Sequence, residues 1–174
     1  SDLSGLNKKP VYKDSNTPNQ KIDPSLKIRH GRELIRFANL EFSRIFMAWF
    51  IPNLCDQKNL IGLEILASIL SVGRNSRLVK LLKEDKNLVE SVYVDVNTGE
   101  LGGLLILEAS CEEKDIYSVE SQINRTIAEI SDDRILTSDE IKKAVNIVKS
   151  NYVFNLETST QISSFFGNEL LWGR

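Results

Sequence analysis

Hydrophobic positions fall into several periodic segments once the first thirty residues are passed. "RELIRF" (32–37) reads as a short strand around Leu34. "FSRIFMAWFI" (42–51) reads as a second, rich in aromatic and β-branched residues and stopped by Pro52 and Asn53. Its odd positions (Ser43, Ile45, Met47, Trp49, Ile51) and its even positions (Phe42, Arg44, Phe46, Ala48, Phe50) are both largely apolar, so cover is expected on both faces. The period then lengthens. Leu60, Leu63, Leu66 or Ala67, and Leu70 recur at helical spacing over 56–71, with Asp56 as N-cap and Gly73 as terminator. A shorter helix follows over 75–85, capped by Asn75 or Ser76, with Leu78, Leu81 and Leu82 facing inward.

Alternation returns in "LVESVYVDVN" (88–97) and "LGGLLILEAS" (101–110), joined by the turn-forming "NTGE" as a hairpin. Ile116, Val119, Ile123, Ile127 and Ile130 mark a helix over roughly 113–130. "TSDE" opens another as a capping box of Thr137 with Glu140; Ile141, Ala144, Val145, Val148 and Tyr152 carry its stripe to about 157. A last amphipathic stretch runs from Ile162 to Trp172. The order β-β-α-α-β-β-α-α predicts an α+β fold: an antiparallel sheet with helices packed on one face. The doubly apolar second strand then calls for another domain, another chain or the lead-in arm on the sheet's other face.

Composition narrows this little. The 174 residues are enough for one sizeable core. Residues 1–30 hold three of the four prolines and no periodicity, and read as a linker or extended arm before a domain over 31–174. A net charge of −2, with acids and bases mixed, gives no basic face, so no nucleic-acid partner is expected. No stretch is apolar for the ~18 residues of a membrane span and the N-terminus has no apolar signal core, so a soluble chain with no membrane partner is expected. Its compartment is left open.

Candidate chemistry is limited by inventory. The two cysteines, Cys55 and Cys111, are far apart and read as small thiols of the fold rather than a disulfide frame. The single histidine, His30, lies in the polar lead-in and reads as solvent-exposed. A catalytic zinc site needs two or three imidazoles or thiolates in their place, so no metal or other cofactor is expected in this chain. No phosphate-binding, dinucleotide-binding or nucleophile-elbow motif occurs. "GRNSRL" (73–78) places two arginines at a helix start, where an anion could bind, but a loop and cap is the plainer reading.

One charge stands out. Glu90 shares a strand parity with Leu88, Val92, Val94 and Val96. An ionised carboxylate on a pure core face costs several kcal/mol, roughly, unless paired. Either the strand opens there into a cleft, or its first turn is solvated, or Glu90 pairs with Lys83, Lys86 or Arg77.

"ILSVGRNSRL", "LLKEDKNLVESV" and "GELGGLLIL", in that order, resemble the non-catalytic domain of M16 zinc metallopeptidases, the insulinase and mitochondrial processing peptidase family. The strand ending "FIPN" and the "LTSDEIKKAV" helix fall in the expected places, so the resemblance spans about 32–172. It implies that Gly73, Ser76, Arg77 and Leu78 form a structural turn-and-helix motif. It implies that zinc and its H-x-x-E-H helix belong to a preceding M16 domain or subunit, the expected partner, with peptide as substrate. This chain alone is then no enzyme, although its parent is a zinc-dependent metalloendopeptidase. In some members an arginine and a tyrosine from this half reach the substrate. The matching positions are Lys83 and Glu90, and both depart: lysine lacks the planar fork, and glutamate cannot donate the phenolic hydrogen bond. An alternative is a catalytically inactive M16-like scaffold. An unrelated ferredoxin-like RNA binder lacks both the aromatic strand motif and the charge. The ending "LLWGR" falls before the expected close of the domain, so an excised domain, truncated at its C-terminus, is expected.

Overall fold

The structure is a computed structural model, which describes residues 31–35, 41–52, 56–99, 102–130, 136–154 and 156–171. Three strands form one antiparallel sheet: β1 (Ser43–Ile51), β2 (Ser91–Asn97) and β3 (Gly103–Cys111), in the order β1-β3-β2. The helices are α1 (Gln57–Ser71), α2 (Ile116–Ile130), α3 (Ser138–Phe154) and α4 (Ser159–Leu171). A π-helical stretch, Val79–Asp85, precedes β2, and a 3-10 turn, Glu113–Asp115, precedes α2. The α+β reading holds.

The sheet's alternation sorts its residues. Val92 of β2, Leu105, Leu107, Ala109 and Cys111 of β3, and Ile51 of β1 are buried. They meet Leu70 of α1, Leu78 and Leu82, and Val119 and Ile123 of α2, with Ile45, Met47 and Trp49 packed around them. Ile116, Ile127 and Ile130 flank the same core, so the expected α2 stripe faces the sheet. α3 lies outside α1, with Ala144 as its buried contact.

Local signals set the boundaries. Asp56 accepts from the Asn59 amide at the head of α1. Beyond α1, Gly73 adopts φ +87, in the left-handed region where glycine carries no Cβ penalty. The Thr137 hydroxyl accepts from the Glu140 amide while the Glu140 carboxylate accepts from the Thr137 amide, closing the predicted capping box. Thr158 and Gln161 repeat that box before α4. Where the hairpin closes, a Cβ on Gly103 would stand 2.4 Å from the Asn97 carbonyl, so only glycine fits.

Several expectations change. The strand foreseen over 32–37 is not formed by residues 32–35; positions 36 and 37 lie outside the described residues. Leu34 and Ile35 are exposed there, while Arg32 bonds Glu120 at 2.7 Å and sits over the Tyr117 ring. The helix over 75–85 widens into π geometry from Val79. The Leu88 amide then donates to the Leu82 carbonyl, and Asn87, with φ +48, makes the turn into β2. α3 ends at Phe154 rather than near 157. The readings of His30, Cys55 and the 1–30 arm lie outside the described residues.

Candidate functional site

The face of the sheet away from the helices carries the even positions of β1 and β3 and the odd positions of β2. Register builds it in rows. Phe46, Glu108 and Tyr93 form one; Ala48, Ile106 and Asp95 the next; Phe50, Leu104 and Asn97 a third. Phe46 is 63% exposed and Tyr93 62%, with Phe50 and Leu104 also exposed. The cover expected over the even face of β1 is therefore not supplied by the described residues. Arg44 donates to Glu108 at 3.0 Å and places an ion pair at one end of this apolar floor. Contiguous exposed apolar surface bounded by charge is the composition of a contact surface. The alternation that creates it was readable in β1. Its extension over Tyr93, Ile106 and Leu104 needed the register.

The motif residues stand beside α3. Leu78 is fully buried. The Ser76 hydroxyl donates to the Gly73 carbonyl at 2.7 Å, closing the turn rather than accepting from a helix amide. Arg77 donates from Nε and Nη2 to the two oxygens of Glu140, at 2.9 and 3.0 Å. This forked pair, with the bonds from Thr137, holds the Glu140 carboxyl down to about 2, and Glu140 in turn raises Arg77. Arg74 pairs with Glu84, which raises the arginine and lowers the carboxyl. Both arginines of "GRNSRL" are thus engaged by carboxylates, against an anion site.

Glu90 is exposed, one residue before β2 begins. Its backbone amide donates to the Ser110 carbonyl, and its backbone carbonyl accepts from Lys83 Nζ. Lys83 thus approaches the peptide group of Glu90 and not its carboxylate, while Arg77 is held by Glu140. A solvated strand start accounts for a carboxylate at this parity.

Among the described residues no group of three or more His, Cys, Asp and Glu is placed to hold a metal ion. Cys111 is buried, and burial pushes its thiol pKa up, away from the thiolate that metals bind. The donors among the described residues do not fit zinc. No helix among the described residues is long and apolar enough to cross a membrane.

A family model described as "Peptidase M16 inactive domain" matches residues 2–148. The chain belongs to this M16 inactive-domain family. The M16 chain is 29% identical over 118 residues to a Bacillus subtilis (strain 168) protein named as an uncharacterized zinc protease, YmxG, covering 67% of this chain and 29% of that one. Its fold matches a protease from Helicobacter pylori at TM-score 0.65 and 16% identity, over 80% of this chain and 33% of that one. It also matches a peptidase M16 inactive domain from Pseudomonas fluorescens at TM-score 0.64 and 15% identity, over 75% of this chain and 31% of that one. A putative zinc protease from Bordetella pertussis Tohama I matches at TM-score 0.63 and 17% identity, over 75% of this chain and 71% of that one. The M16 chain thus spans about a third of the first two relatives.

Proposed function

We propose that this M16 inactive domain works beside a zinc-binding M16 domain or subunit, supplying one wall of the chamber that holds peptide and packing against its neighbour. Zinc and bond cleavage belong to that neighbour, in a parent that is a zinc metalloendopeptidase. The observation that carries this reading is the open sheet face, where Phe46, Tyr93, Phe50 and Leu104 are exposed on three hydrogen-bonded strands. Aromatic side chains on a sheet offer large, pre-organised contact area to an extended peptide or a neighbouring domain. The test is to reconstitute the chain with the zinc-binding domain and measure peptide cleavage. Docking and a gain in cleavage support the reading; neither one appearing contradicts it.

A second reading, an inactive M16-like scaffold, is favoured by Lys83 and Glu90. These match the substrate-reaching arginine and tyrosine of the resemblance, yet Lys83 is turned onto the Glu90 carbonyl. A complex that assembles but never cleaves peptide would select this reading.

A further inference from the structure

β2 ends the sheet among the described residues, and an end strand presents unpaired amides and carbonyls to any passing chain. Here the central outward group is already engaged. The Val94 amide donates to Ser71 Oγ at 2.9 Å, so it points away from β3. By the alternation of antiparallel pairing, Val92 and Val96 turn their peptide groups the same way. Ser71 is the last residue of α1, and its hydroxyl donates in turn to the Ala67 carbonyl at 3.2 Å. The hydroxyl thus both donates and accepts, and the oxygen is held in place from within the helix. At the start of the same strand, Lys83 of the π-helical stretch donates to the Glu90 carbonyl. Two helix-borne groups therefore occupy backbone positions that an added strand would need.

We infer that Ser71 and Lys83 close the β2 edge of the sheet against strand addition, by a peptide or by a second copy of this chain. An incoming strand in register with Val92, Val94 and Val96 loses its central bond and meets the end of α1. The role given to Lys83 is intramolecular and does not depend on the chamber reading. It follows that extended ligands meet this domain on its open face or at β1.

The test compares the 174-residue chain with Ser71→Ala, Ser71→Thr, and a Ser71→Ala/Lys83→Met double variant. The first readout is amide exchange at Val94 relative to Leu107, a ratio that cancels any global loss of stability. Ser71→Ala raises the ratio about three- to tenfold, the factor for one lost hydrogen bond, and Ser71→Thr keeps it near the parent value. The second readout is the self-association constant by sedimentation, which rises about tenfold or more in the double variant. An unchanged exchange ratio in Ser71→Ala, or unchanged association in the double variant, overturns the inference.

Discussion

The helix-covered face of the sheet and its open face are built from the same three strands, and both are rich in apolar side chains. On the covered side Leu107, Ala109 and Val92 are buried against α1, α2 and the π-helical stretch. On the open side Phe46 and Tyr93 are more than half exposed. Apolar alternation therefore identifies a face able to be covered, whereas its cover comes from another element. A soluble antiparallel sheet ordinarily turns a polar face to water. A largely apolar one, edged by the Arg44–Glu108 ion pair and by Asp95 and Asn97 of β2, has the composition of a contact surface.

The comparison breaks most visibly at Leu107. Leu107→Ala is expected to cost about 3–4 kcal/mol, read by urea unfolding, because a fully buried leucine leaves a cavity the neighbouring helices cannot fill. A loss below about 1 kcal/mol would mean that the covered face is not packed as described.

Next comes the pair that joins the motif helix to α3. Arg77→Gln is expected to cost about 1–2 kcal/mol, since the half-buried Glu140 loses its forked partner. The same pair sets an acid response. The folded pKa of Glu140, about 2, lies below its ordinary 4.5, so its contribution is fully present above pH 4.5 and is lost as pH falls toward 2. With the carboxylate side chain 34% exposed, solvent screening holds that step to about 1 kcal/mol. The step should shrink in Arg77→Gln; an equal step in both proteins would assign it elsewhere.

The smallest effect is expected on the open face. Phe46→Ser should change stability by about 0.5 kcal/mol or less, because a mostly exposed ring has little to lose when the chain unfolds. A cost like that of Leu107→Ala would show that the face is covered in the free chain.

Much of the fold was legible. Asp56, the Thr137–Glu140 box and the hairpin before Gly103 are local chemistry, and local chemistry sets local boundaries. "RELIRF" fits strand propensity, yet residues 32–35 form no strand: Arg32 reaches Glu120 and Tyr117 on α2 while Leu34 and Ile35 are exposed, a tertiary arrangement with no local signature. The π widening is likewise silent in the sequence; it joins buried Leu78 and Leu82 to the turn at Asn87. The Thr158–Gln161 box carried a readable signal that the apolar stripe beyond it obscured. Glu90 was legible as an anomaly, but its exposure and the approach of Lys83 to its carbonyl depend on where β2 begins.

On the proposed function, the open face is a working surface of an M16 assembly. Its most direct test is peptide cleavage by the zinc-binding domain reconstituted with this chain, comparing wild type with a Phe46→Ser/Tyr93→Ser variant. Wild type is expected to raise kcat/KM for peptide, and the variant, still folded and docked, to lose about tenfold or more of it, the factor for about 1.4 kcal/mol of lost contact. Equal activity with the intact and the altered face would contradict it.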